Sequence, residues 1–243
     1  MIGFPQFFIA APFGNYITHE GAISVRGTFT YRPNGNRVWS VLKSLRYNYA
    51  NKGWTNKLGL PNPGIHAGLK NTTRADIISI AELQRGDFKH LHDTIPYNQS
   101  VELNLSCPNL DKTLPWDNIH IFTKDKEREW CIAKLSPLTR PEEIEYLYTK
   151  GFRQLHFSNT LPMTQLDRYS NAGGLSGKTL KPYTLKLIEI TRQDFPRDIE
   201  IIAGGGVETE QDVWDYMDAG CDHVSIGTLC FRPFSMRRLL RGW

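Results

Sequence analysis

The feature that most constrains this chain is an alternation of strand-like and helix-like segments through its second half. The stretch "REWCIAKLSP" reads as a strand, and "LTRPEEIEYLYTKG" reads as the helix that follows. In that helix Thr139 and Glu142 have capping-box spacing, Gly151 supplies the stop, and Ile144, Leu147 and Tyr148 form the apolar face. The unit then recurs: "FRQLHFSNT" with "KPYTLKLIEITRQDF", "IEIIAGGGV" with "ETEQDVWDYMDAG", and "CDHVSIGT" with "RPFSMRRLLRGW". In the third of these helices Val213, Trp214 and Met217 are the expected buried face. Strands separated by helices of this length predict a parallel sheet with helical crossovers.

The first half supplies four more strand candidates, "FFIAAPF", "AISVRGTFT", "ADIISIAEL" and "SVELNLS". That makes eight, the number that closes a (β/α)8 TIM barrel. The first two strands lack a following helix of ordinary length. Residues 31–72, rich in Asn, Gly, Pro and aromatics, are expected to form long loops and turns. The expected fold is therefore one α/β domain over residues 1–243, a barrel with an abbreviated N-terminal half. A doubly wound open sheet is the alternative, and it lacks the GxGxxG that should follow its first strand.

Bulk properties narrow the function. The net charge of +4 is dispersed and does not argue for a nucleic-acid partner. No apolar run has the length of a membrane span, and "MIGFPQFFIA" has no basic leader region, so a cytoplasmic protein without a membrane partner is expected. The four cysteines, Cys107, Cys131, Cys221 and Cys230, have no metal-ligand spacing and suit a reducing compartment.

Polar and glycine-rich residues fall at the C-terminal strand ends, where α/β barrels keep their sites. In "VELNLSCPNL" alternation sends Val101, Leu103 and Leu105 toward the helices and Glu102, Asn104 and Ser106 into the barrel. Cys107, Pro108 and Asn109 then fall on the rim. On the next strand Lys134 points inward, where it needs an anionic partner. Turns at "NAGGLSGK", "AGGGVET" and "IGTL" offer backbone amides suited to a phosphate. Cys131, Cys221 and Cys230 read as small buried hydrophobes.

Taken in order, "ELNLSCPN", "AKLSPL", "SNT", "AGGLSGKTLKP", "IIAGGGVETEQD" and "IGT", with "NKLGLPNPGI" earlier, resemble the dihydroorotate dehydrogenase family. The resemblance runs from about Ala10 to Leu240 and is strongest from Val101 onward. It implies FMN at the barrel mouth and oxidation of dihydroorotate to orotate in pyrimidine synthesis, with hydride passing to the flavin. Cys107 matches the catalytic base of the soluble class. Asn56, Asn104, Asn109 and Asn159 match the asparagines that hold the substrate, with Leu58, Gly59, Leu60 and Thr160 beside them. Lys134 matches the lysine at the flavin ring. Ser176, Gly177, Gly205, Gly206, Gly227 and Thr228 match the phosphate cradle. Soluble members often dimerise, so the resemblance leaves a homodimer open as the assembly.

The chain departs from the family pattern in four places. The first helix is absent, "SVRGT" puts Arg26 where a flavin-contacting lysine is usual, "NLDKTLPWDNIHIF" lacks the usual lid pattern, and "HAGLKNTTRADI" leaves little room for a full second helix. A related flavoenzyme acting on another reduced pyrimidine, or a non-catalytic barrel serving binding or assembly, are the alternative functions.

Overall fold

The computed structural model describes residues 4–106, 116–166 and 173–243, so Cys107 and Asn109 lie outside the described residues. Eight strands close a barrel: β1 (Phe7–Ile9), β2 (Ala22–Phe29), β3 (Ile77–Ile80), β4 (Val101–Asn104), β5 (Cys131–Leu135), β6 (Gln154–Phe157), β7 (Glu200–Gly204) and β8 (His223–Ile226). Every neighbouring pair is parallel, in chain order around the barrel, and β1 closes it by pairing with both β2 and β8. The TIM barrel expected from the sequence is present, with all eight strands in the predicted segments.

Alternation along the strands builds two apolar layers. Side chains such as Leu103, Ala133, Leu155 and Ile201 face outward and pack under the helices. Phe8, Val25, Ile77, Trp130, Ile132 and Ile202 form a separate buried cluster that fills the N-terminal end of the barrel. The polar inward residues that reach the upper end of the barrel therefore stand above an apolar layer.

Six strands are followed by helices: β2 by α1 (Arg37–Ser44) and the short α2 (Ile65–Lys70), β3 by α3 (Asp87–Thr94), β5 by α4 (Pro141–Thr149), β6 by α5 (Lys181–Asp194), β7 by α6 (Glu210–Asp218) and β8 by α7 (Pro233–Arg241). Only a 3-10 turn, Phe13–Asn15, separates β1 from β2, as the short linking sequence implies. Asn15 secures that shortcut. Its Oδ1 accepts from Gly27 N–H at 2.9 Å, and its Nδ2 donates to the Pro12 carbonyl at 2.9 Å.

Residues 31–72 differ from the loops expected of them. They hold helix α1 (Arg37–Ser44), strands Arg46–Asn48 and Gly53–Asn56, and a short helix α2 (Ile65–Lys70). The "AGGLSGK" segment is likewise a strand, Gly174–Gly177, rather than a turn. It pairs antiparallel with Gly53–Asn56 on one side and Leu161–Pro162 on the other. These segments form a second, four-stranded sheet. The pairing is long-range, and strands of two to four residues with little apolar alternation carry almost no local signal.

Two helix details also shift. Arg140, not Thr139, is the residue before α4, and its N–H donates to Glu143 at 2.7 Å in place of the Thr139–Glu142 pairing. Pro141 sets this phase. It takes the first helical position and holds Arg140 extended, at φ −93° and ψ 155°. In α6 the buried face is Val213 and Tyr216, while Trp214 is 46% exposed and rests against Trp243.

Candidate active site

A cavity of about 1790 Å³ opens at the C-terminal ends of the strands. Every described site residue named from the sequence lines it, from Asn56 on the second sheet to Thr228 after β8. The second sheet explains how distant segments converge, since Asn56 is paired directly with Gly174.

Asn104 and Asn159 form one network, and Asn56 stands apart from it on the second sheet. Asn104 Nδ2 donates to Thr28 Oγ1 at 3.3 Å. Asn159 Nδ2 donates to Asn104 Oδ1 at 3.0 Å and to Ser106 Oγ at 2.6 Å. Asn159 Oδ1 accepts from Thr160 N–H at 2.8 Å. Asn56 Oδ1 lies 3.5 Å from Leu58 N. Carboxamides fixed by one another keep their remaining donors and acceptors aimed at a ligand. The Gly59–Leu60 turn is held from outside: Asn34 Nδ2 donates to both carbonyls, at 2.8 and 3.0 Å, and Asn62 Nδ2 donates to Leu60 O at 2.8 Å.

Beneath the network lies a buried charged layer. Lys134 Nζ stands 3.6 Å from Glu102 Oε1, which is the anionic partner its inward direction required. Glu102 Oε2 is 2.7 Å from His156 Nδ1. Burial by itself would raise the Glu102 carboxyl, but the Lys134 ammonium and the His156 hydrogen bond overcome it and hold the group down at about 2. Burial, aided by the Lys134 charge, pushes His156 below the usual imidazole value. The layer is thus an ionised carboxylate between an ammonium and a neutral imidazole.

The glycine turns interlock on the other side of the cavity. Gly205 and Gly206 have φ 99° and 76°. A Cβ on Gly206 would stand 2.7 Å from Lys178 Cα, and one on Gly205 would stand 2.7 Å from Leu180 Cβ. Tyr216 ties the turn to α6 by donating to Gly205 O at 2.6 Å. By contrast, nothing lies within 4 Å of where a Gly227 Cβ would be, so the backbone there borders open space. Ser225, 2% exposed, has a hydroxyl with no hydrogen-bond partner among the described residues. Close-packed glycines around an open pocket, with a spare buried donor, fit a phosphate-bearing ligand such as FMN.

Arg26 is not in the position of a flavin-contacting residue. It pairs with Asp76 at 2.9 Å and does not line the cavity. Alternation accounts for this, because Val25 belongs to the cluster inside the barrel and Arg26 therefore points out. Sequence reasoning passed over Thr28, His156, Ser158 and Ser225, all cavity-lining. His156 was accessible in principle: in "QLHF" it shares the inward face and pairs in register with Lys134. Burial raises the thiols of Cys131, Cys221 and Cys230 to about 12, which leaves them unreactive at neutral pH.

A closed parallel barrel whose mouth joins a glycine cradle, a buried lysine and a carboxamide network defines an enzyme of a phosphate-bearing cofactor. The particular family follows from comparison. The sequence model of the dihydroorotate dehydrogenase family matches residues 16–241, and the chain belongs to that family. It is 29% identical over 254 residues to the catalytic subunit of dihydroorotate dehydrogenase B (NAD(+)) of Staphylococcus carnosus, covering 93% of this chain and 81% of that one. The corresponding Listeria monocytogenes subunit is 30% identical over 220 residues, covering 77% and 70%. The crystal structure of ligand-free DHODH from Eimeria tenella superposes with a TM-score of 0.76 at 18% identity, covering 97% of this chain and 82% of that chain, which supports the fold. Family members are FMN-dependent oxidoreductases that oxidise dihydroorotate in pyrimidine biosynthesis. Among the described residues, no helix is long and apolar enough to cross a membrane.

Proposed function

We propose that residues 1–243 act as one FMN-binding barrel that oxidises dihydroorotate to orotate in the cytoplasm, with Cys107 as the base. The observation that carries this reading is the cavity in which Lys134, Asn56, Asn104 and Asn159 face Gly177 at its strand end and the Gly205–Gly206 and Gly227 turns. Gly177, Gly205, Gly206, Gly227, Thr228 and Ser176 would hold the phosphate end of FMN, and Lys134 the ring end. Bound there, FMN supplies a two-electron acceptor for the hydride. The Lys134 ammonium offers the charge that a reduced ring needs, in a site where water no longer screens it.

The asparagines donate and accept at once, which suits a ring of amides bearing a carboxylate. Cys107 is the next residue in sequence after Ser106, which hydrogen-bonds Asn104 and Asn159. A thiol of ordinary pKa, about 8.5, needs only a modest decrease to serve as a base at neutral pH. Asn109 completes the substrate-holding set in this proposal. The relatives are named as catalytic subunits of an NAD(+)-linked enzyme, which supports passage of electrons to a separate subunit. Self-association into a homodimer belongs to the same proposal.

The test is titration of FMN into the purified protein, followed by measurement of orotate formation. Stoichiometric FMN uptake and orotate release from dihydroorotate are expected. Uptake of FMN without orotate formation would favour a flavoenzyme of another reduced pyrimidine, and failure to bind FMN would favour a non-catalytic barrel.

A further inference from the structure

We infer that His156 is a positioning residue, whose Nδ1–H holds Glu102 beneath Lys134 so that the lysine's donors face the cavity. The inference rests on the proposed FMN site above it. Its basis is geometric. Glu102 is fully buried, with one oxygen 2.7 Å from His156 Nδ1 and the other 3.6 Å from Lys134 Nζ. Lys134 Nζ makes no hydrogen bond to the described residues, yet its side chain is 7% exposed and lines the cavity. Its donors are therefore kept for a ligand, while the carboxylate beneath it supplies charge balance.

His156 is itself held in place. The ring is 2% exposed, and a Cβ on Gly204 would stand 3.3 Å from its Nε2, so a larger residue on β7 would crowd it. The titratable groups facing Glu102 are His156 from β6 and Lys134 from β5. The inward residues of the other upper strands, Ser79 on β3, Gly204 on β7 and Ser225 on β8, carry no charge. Without the imidazole, Glu102 loses its 2.7 Å hydrogen bond at Oε2 and keeps only the weaker support of Ser79 and the Lys134 charge, so the buried carboxylate is freer to turn or take a proton. Lys134 would then lose its support.

The test pairs His156→Leu, which removes the donor, with His156→Asn, which places an amide N–H near the Nδ1 position. FMN affinity is expected to fall about tenfold in the leucine variant, the loss of one hydrogen bond to a buried charge, and to return to within about twofold in the asparagine variant. Equal losses in both variants would overturn the inference and leave His156 as packing. A second measurement needs neither variant nor flavin. In apoprotein labelled with 15N-histidine, His156 is expected as the Nδ1–H tautomer without titration between pH 6 and 8. An Nε2–H tautomer, or an imidazolium at pH 7, would overturn it. Failure to bind FMN would count against the proposed function, and the tautomer would still decide this inference.

Discussion

Glu102 is a carboxylate with no exposed surface, and its cost of burial is offset chiefly by Lys134 and His156, with a smaller contribution from Ser79. Its pKa in the folded chain, about 2, lies below the unfolded value near 4.5. Its contribution to stability is therefore present above about pH 4.5 and is lost as pH falls toward 2. His156 is also held below its unfolded value. The unfolded chain takes up that proton near pH 6.5 while the folded chain does not, so this term also weakens the fold as pH falls. The two effects have the same sign. The unfolding temperature should drop between pH 7 and 5, and His156→Asn should show a smaller drop over that interval when followed by circular dichroism. An unchanged slope in the variant would contradict the assignment of this pH dependence to His156.

At the scale of elements, the site depends on turns that exclude side chains. The Gly206 turn lies against backbone of Lys178, so Gly206→Ala cannot be absorbed by a rotamer change. A positive φ adds strain of about 1 kcal/mol or more. The variant is expected to lower FMN affinity about tenfold or more while the barrel still folds, as checked by flavin fluorescence titration beside far-UV dichroism. The elements themselves were unequally legible. The eight barrel strands could be read because inward and outward faces alternate in apolar, β-branched runs, and their helices because caps and glycine stops bound them. The second sheet could not. Gly53–Asn56 and Gly174–Gly177 become strands by pairing across the chain, with no local period of their own. Tyr216 was missed because Trp214 is the larger apolar residue, yet the cap at Thr209 sets a helix phase that turns Trp214 outward.

For the whole molecule, the missing first helix leaves the barrel closed. β1 keeps parallel partners on both sides, and the apolar cluster still seals the lower end. The abbreviation falls on the outer layer, away from the strand ends that carry Asn104, Lys134 and Asn159. Most of the candidate site was legible for that reason, since alternation along single strands decides which residues enter the barrel. What alternation does not show is pairing between strands. It exposed the need of Lys134 for an anion, and the fold supplied Glu102, with His156 behind it. The most direct measurement is the rate at which dihydroorotate bleaches the FMN-loaded protein without oxygen, for the wild type and Cys107→Ser at pH 7. The expected result is rapid bleaching in the wild type and a decrease of about a hundredfold or more in the variant, the usual scale of a lost general base. Bleaching at equal rates in both would contradict the assignment of Cys107, and no bleaching of a flavin-loaded wild type would contradict the dihydroorotate reading itself.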